Sequence, residues 1–377
     1  MQTVIRQASI SDKIAIWDFI KVAYGDSAQN KIPDRWNWAF LENPLVNKSG
    51  KELPIFIAIK DGKIVGQICA ILYQIKIGDK MHCMACGVDF IVLPICRGEG
   101  VGQKLMQAIV EYYGLYMNTY MAASTRHIYH RLGFSEFEPI PYYRRLVKLN
   151  SATVCAYLMQ KTTKYLSLNR IISFLCHFGF DKMVALTGNI LIMSRNFLLK
   201  GAKKGHQTKI IEIVSFGDDI DQLWNITNNK FKVIVKRDQQ FLNWRFSKNP
   251  NFDYRCFIGK RYGVTKGYIV LRNPAIIELN IGIIVDIYAA PDDHETVEDL
   301  IRHAIDFFGE SVTVIECPTT QQEHQRALSK LGFLKMEKTV PAFFCKDSEL
   351  KKELEGLNKG WFLTKSDPDW DQLHQQL

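Results

Sequence analysis

The chain has 377 residues, 47% apolar and 23% charged; that is too long for one ordinary core, fits two domains, and excludes disordered and fibrous classes. No apolar run reaches the roughly 18 residues of a spanning helix. The N-terminal "MQTVIRQASISDK" lacks the apolar core of a signal peptide, and the nine cysteines are scattered and odd in number, so a reduced, cytoplasmic chain is expected. The net charge of +9 is concentrated: residues 151–210 hold nine Lys/Arg against Asp181 alone, a net +8, which leaves +1 for the other 317 residues.

In chain order, "SDKIAIWDFIKVAY" reads as a polar-faced helix, and "NWAFLENP" (37–44) follows. "PIFIAIKDGKIVGQICAILYQIKIG" reads as paired strands turning at Asp61-Gly62. A buried strand, "VDFIVLP", ends at Pro94; a helix with apolar spacing, "GVGQKLMQAIVEYY", follows, then a further strand, a short helix and Leu132-Gly133-Phe134. The only C-x-x-C, Cys83 and Cys86, has no second pair at zinc spacing, so no metal is expected.

The same order then recurs. "NWRFSKNP" (243–250) repeats "NWAFLENP" at an offset of 206; Gly66 returns as Gly267, "VDFIVLP" as "VDIYAAP", and "RLGF" as "KLGF", at offsets of 201, 197 and 199. A period near 200 is a duplicated domain. Strands followed by a strand–helix–strand core predict an α/β (α+β) fold: two tandem domains, each a mixed, largely antiparallel sheet flanked by helices. The expected boundaries are 1–148 and 207–347, joined by a basic helical connector at 149–206 and followed by a C-terminal helix and tail at 348–377.

Between the strand "VDFIVLP" and its helix lies "PICRGEGVGQ", with three glycines in five positions behind Arg97. A strand-to-helix turn aims free helix N–H groups outward, the glycines allow close backbone approach, and Arg97 adds charge, so the turn predicts an anion site. No Gly-Lys-Ser/Thr follows, and G-x-G-x-G is not the dinucleotide G-x-G-x-x-G. The pattern Arg97-Gly98-Glu99-Gly100-Val101-Gly102 resembles the coenzyme A pyrophosphate loop of the GNAT acetyltransferase superfamily. "IYHRLGF", Tyr129 through Phe134, resembles that superfamily's later Tyr-x-x-x-Gly-Phe motif. The resemblance covers residues 1–148 with both motifs and 207–345 through the repeat.

It implies an N-acetyltransferase moving acetyl from acetyl-CoA directly to a primary amine. Pantetheine would pair with Phe90, Ile91 and Val92, the pyrophosphate would sit on Arg97, Gly98, Glu99, Gly100, Val101, Gly102 and Gln103, and Tyr129 would be the acid. An uncharged amine also needs a base. Asp89 is a candidate if burial raises it toward neutral, while its repeat partner Asp286 also allows a structural reading of both; His82, His127 and His130 lie nearby in sequence. The family's asparagine seven residues before the tyrosine is Ala122 here. The second copy has "DDHETVED" for the glycine turn and Leu328 for the tyrosine, so it is expected not to bind acetyl-CoA in the usual way. The alternative to an enzyme is a non-catalytic acyl-CoA sensor or scaffold.

The acceptor, a small molecule or a peptide amine, is not legible. Nucleic acid is not expected as a partner, and an internal pseudo-dimer favours a monomer. Connector residues 151–206, apolar at helical spacing with breaks near Gly179 and Gly188, read first as helices packed with a solvated basic face and alternatively as a peripheral contact with an anionic membrane. The tail's Asp367, Asp369 and Asp371 read as a docked tail or as a site for a cation or amine.

Overall fold

The structure, a computed structural model, describes residues 2–46, 52–119, 123–162, 165–200, 208–273 and 280–367. Its strands in chain order are β1 (Val4–Ser9), β2 (Glu52–Lys60), β3 (Lys63–Ile77), β4 (Lys80–Val92), β5 (Leu115–Asn118), β6 (Ser135–Glu136), β7 (Ile140–Leu146), β8 (Lys209–Ile213), β9 (Val233–Val235), β10 (Arg255–Arg261), β11 (Val264–Arg272), β12 (Ile281–Ala289), β13 (Val314–Pro318), β14 (Leu334–Thr339), β15 (Ala342–Cys345) and β16 (Trp361–Phe362). They form two mixed, largely antiparallel sheets, as the repeat predicts. One runs β1-β2-β3-β4-β5-β15-β6, with β9 on the end of β3 and β16 on β9; the other runs β8-β10-β11-β12-β13-β7-β14.

The compact units do not follow the contiguous boundaries expected from the repeat. The first comprises Met1–Ile140, Val214–Tyr254 and Lys338–Leu377; the second comprises Pro141–Ile213 and Arg255–Glu337. Strand β7, which follows β6 in sequence, pairs antiparallel with β13 (Val314↔Leu146), while β15 fills the equivalent slot beside β5 (Ala342↔Asn118). Each slot takes a short strand with a proline at its start, Pro141 as the second residue of β7 and Pro341 just before β15, and that proline does not distinguish the two sheets.

In the first unit the helix Val101–Tyr113 buries Val101, Leu105, Met106, Ile109 and Val110 against the sheet. These follow i, i+4, i+5, i+8 and i+9, one face of a helix, and each fully buried side chain contributes about 1.5–3 kcal/mol. The duplicated Asn-Trp-x-Phe landmark meets itself there. Trp38 and Trp244 stack with centroids 4.7 Å apart, 8° from parallel. Trp38 Nε1 donates to Trp244 O at 2.8 Å, and Trp244 Nε1 donates to Trp38 O at 3.0 Å. Two buried indoles thus satisfy each other's N–H, the condition for burying a tryptophan without penalty.

The second unit has its own core, in which the helix His294–Phe308 lays Val297, Leu300, Ile301, Ala304 and Phe308 on its sheet. It also carries the connector, as helices Ser151–Thr162, Leu166–His177 and Phe180–Lys200. Gly179, at φ 86°, separates the last two. Gly188 does not break the helix as the sequence suggested: a Cβ there would lie 2.5 Å from Leu149 Cδ1, so the glycine admits that side chain. The tail docks within the first unit, where Asp367 accepts from Arg237 Nη2 at 2.8 Å with both side chains fully buried. Asp367 is therefore committed to an ion pair; Asp369, Trp370 and Asp371 lie outside the described residues.

Candidate functional site

The site is built where β4 leaves β5. The two pair in parallel only at Ala85↔Tyr116 and Cys86↔Met117. Beyond that point β4 continues to Val92 while β5 ends at Asn118, so among the described residues β5 offers the β4 edge no ladder partner from Gly87 onward. A bulge marks the same stretch: the β3–β4 register shifts between Gln67↔Ile91 and Cys69↔Val88. Asp89 sits in it at φ 50°, a left-handed conformation that costs a non-glycine residue on the order of 1 kcal/mol or more.

Two buried cations hold Asp89. Lys31 Nζ lies 2.7 Å from Oδ1 and Arg35 Nη1 2.6 Å from Oδ2. Burial alone would push the carboxyl up, but Arg35 and Lys31 outweigh it and hold the group well below the usual carboxylate range. The near-neutral carboxylate expected of a base is therefore not found here; Asp89 is ionised and doubly paired, and a base so stabilised accepts a proton poorly. Its repeat partner Asp286, fully buried in the second unit, accepts from the Tyr268 hydroxyl at 2.7 Å and from Ile287 N at 3.1 Å.

The glycine turn follows β4 through a short 3-10 turn, Pro94–Cys96. Gly98 and Gly100 have φ of 86° and 76°, which favours glycine at both. Gly100 is the N-cap of the helix Val101–Tyr113 and no side chain caps that end. The first helical bond of this turn is Lys104 N to Gly100 O, so the N–H groups of Val101, Gly102 and Gln103 have no intrahelical acceptor, as at any helix start. Gly102 lies under the Phe90 ring, where a Cβ would come within 3.2 Å of it.

An open cavity of about 520 Å³ lies against this turn. Phe90, Ile91 and Val92 line its strand side, and Arg97, Gly98 and Gly100 through Gln103 its turn side, together with Cys96. Nine of the ten expected contacts thus converge; the exception is Glu99, which points to Lys60 Nζ, 2.8 Å away, and is not in the wall. The helix Ala123–Arg131 closes the cavity with Thr125, His127, Ile128 and Arg131. Arg131 was not singled out by the sequence; its signal was its spacing, four residues after His127 and three after Ile128 on one helical face.

Tyr129 is buried on that helix, with its hydroxyl accepting from Asn118 Nδ2 at 2.8 Å. Burial pushes the hydroxyl up to about 12, against the opposing effect of the Asn118 bond. It is therefore protonated at neutral pH. The spacing of the later motif has a packing reason: the chain reverses after the helix, Phe134 N donates to Tyr129 O at 3.1 Å, and the two rings meet edge-on at 4.5 Å. The neighbouring Tyr116 is fully buried, with a hydroxyl that finds no hydrogen-bond partner among the described residues. Of the histidines, His127 reaches the cavity wall, His82 lines a different cavity beside Cys83, and His130 is exposed toward Glu136 at 3.9 Å. Ala122 lies outside the described residues. Among the described residues no group of three or more His, Cys, Asp or Glu could hold a metal ion.

Residues 51–136, from β2 through β6, match the acetyltransferase (GNAT) domain family. That segment contains both the glycine turn and Tyr129. No curated protein matches the chain in sequence. Among solved structures the chain is similar to a GCN5-related N-acetyltransferase of Anabaena variabilis, with a TM-score of 0.58 and 9% identity over 92% of this chain and 73% of that one. A conserved protein of Enterococcus faecalis described as a probable N-acyltransferase gives 0.58 and 12% over the same shares. The N-myristoyltransferase of Saccharomyces cerevisiae with bound myristoyl-CoA gives 0.51 and 11% over 91% of this chain and 82% of that one. At such identities the likeness is one of fold.

The corresponding turn of the second unit is built differently. There Asp293 caps the helix His294–Phe308: its Oδ1 accepts from Thr296 N at 3.1 Å and its Oδ2 from Thr296 Oγ1 at 2.9 Å. Arg261 Nη2 pairs with Asp293 at 3.0 Å and with Glu295 at 3.5 Å.

Proposed function

We propose that the chain is an acyl-CoA-dependent N-acyltransferase that moves an acetyl group from acetyl-CoA to a primary amine, with its active site in the first unit. One observation carries this reading: an uncapped helix start behind two left-handed glycines, opening on a cavity of about 520 Å³ lined on one side by the end of β4. Free N–H groups and the helix dipole suit a pyrophosphate, and Arg97 and Arg131 supply two cations at the same wall. The β4 edge from Phe90 to Val92 offers backbone groups to the amides of pantetheine. The amine nitrogen would attack the thioester carbon, the carbon–sulfur bond would break, and Tyr129, still protonated, would give its proton to the departing sulfur. The amine's proton goes to a base other than Asp89; His127 is the imidazole that lines the cavity wall.

We further propose that the second turn holds no acyl-CoA, because Asp293 already occupies the helix start that a phosphate would use, and that its unit is a degenerate copy of the first. Thiol release measured over a panel of amines tests the reading. Gly100→Glu should weaken acetyl-CoA binding at least a hundredfold by calorimetry, since it strains the turn and places a carboxylate among the phosphate donors. Tyr129→Phe should lower kcat about a hundredfold with little change in acetyl-CoA affinity. If acetyl-CoA binds tightly and no amine turns over, the chain is an acyl-CoA sensor rather than an enzyme.

A further inference from the structure

The connector helices turn apolar stripes to solvent. In Leu166–His177 and the residue after it, Leu168, Ile171, Leu175 and Phe178 follow i, i+3, i+7 and i+10 and are 44, 55, 38 and 72% exposed. In Phe180–Lys200, Met183, Leu186, Ile190, Met193 and Phe197 follow i, i+3, i+7, i+10 and i+14 and are 54–79% exposed. The opposite face of that helix buries Asp181, Ala185 and Ile192, so the stripe is not the core-facing one. Among the described residues, twelve of the twenty-five exposed large apolar side chains fall between Tyr165 and Phe197. That concentration is a patch, not the single scattered residues normal on a soluble surface. The reading of these helices as packed elements with a solvated basic face therefore holds for only one side of them.

The charge around the stripes identifies the occupant. Residues 151–210 carry a net +8, and their one acidic side chain, Asp181, is buried. Arg170 and Lys182 are exposed beside the stripes. A second copy of this face would bring one +8 segment against another, which is electrostatically unfavourable; an anionic lipid surface complements it. No single helix among the described residues is long and apolar enough to cross a membrane, and the pair is bent by 77° at its break. Helices apolar along one exposed stripe, with cations beside it and the opposite face of the longer one packed on protein, suit the plane of the interface, not its normal.

We propose that residues 165–197 dock the protein on an anionic phospholipid bilayer, the apolar stripes entering the headgroup boundary and the Lys and Arg residues facing lipid phosphates. Flotation of the full chain with phosphatidylcholine vesicles, with and without phosphatidylglycerol, tests this. The protein should float with the anionic vesicles at low salt, not with phosphatidylcholine alone, and less as salt rises. Leu186→Glu with Ile190→Glu should abolish flotation while leaving the far-ultraviolet circular dichroism and Tm unchanged, because both positions are exposed. Arg170→Gln and Lys182→Gln should each weaken binding about fivefold. The proposal is overturned if the wild-type chain stays at the bottom with anionic vesicles, or if the double glutamate variant floats as well as wild type. It is overturned equally if light scattering shows a dimer that the glutamate variant dissociates, since the face then belongs to a second copy.

Discussion

The two strand-to-helix turns of this chain solve one backbone problem in opposite ways. Both follow a buried strand ending in proline, and both open a long amphipathic helix on its sheet. In the second, Asp293 supplies the oxygens that the helix start lacks, and Arg261 neutralises the result. In the first, Gly100 supplies none and the turn is held open by two left-handed glycines. A side-chain cap is worth about 1 kcal/mol. The first turn forgoes that stabilisation and leaves its N–H groups available to an external anion, whereas the second turn uses them for folding. The comparison teaches that capping and openness are alternatives at a helix start: the carboxylate that stabilises the second helix takes up an N–H group of the kind that the first leaves uncapped.

The strands leading into the turns give the largest expected effect. Asp89 is matched to two buried cations, whereas Asp286 accepts from a tyrosine hydroxyl and a backbone N–H. Asp89→Asn should therefore destabilise the protein by about 3–5 kcal/mol, the cost of leaving a buried cation uncompensated. The Asp89 carboxyl is held below its unfolded value, so its contribution is complete above the unfolded pKa of about 3.9 and is lost as pH falls through the folded value. Urea unfolding should show the full penalty of the variant at pH 7 and a shrinking one below about pH 4. A penalty that grows on acidification would mean that Asp89 is not held by Lys31 and Arg35.

Next in size is the cap itself. Asp293→Ala should lower Tm by an amount equivalent to about 1 kcal/mol at most 2, and calorimetry should still find a single acetyl-CoA site per chain. Should a second equivalent appear in this variant, the aspartate was masking a working site and the second unit is not degenerate.

How far the sequence reached follows the same division between local and long-range causes. The glycine turn, its helix and the Tyr129–Phe134 reversal were legible because each is settled within a few residues: left-handed glycines, apolar spacing, a ring packed on the ring five residues on. The double sheet was legible because the repeat shows it twice. Which sheet takes β7 or β15 was not, since the strands that accept "PYYRRLV" and "PAFFC" lie far away in sequence and only pairing over long separation decides. Asp89 was misread for the same reason. Its cations come from residues 54 and 58 positions earlier, and burial without them would indeed have raised it. The stacked tryptophans 206 residues apart marked the repeat without disclosing that the repeats meet there.

The smallest effect returns to the first turn. Glu99 is the one member of "RGEGVG" that faces away from the cavity, held by Lys60 at 2.8 Å on an exposed surface. Such an exposed pair contributes little to stability, so Glu99→Gln should leave Tm within about a degree or two. Its consequence for binding should be visible instead. The substitution removes a negative charge next to the pyrophosphate donors and releases a lysine beside them, both of which favour an anion. Acetyl-CoA affinity should rise about two- to fivefold at low salt. The gain should vanish near 1 M salt, where the Debye length is about 3 Å. An affinity that falls in this variant, or a gain indifferent to salt, would mean that Glu99 holds the turn in its binding conformation, and the difference between the two turns would then include an acidic residue that the first one needs.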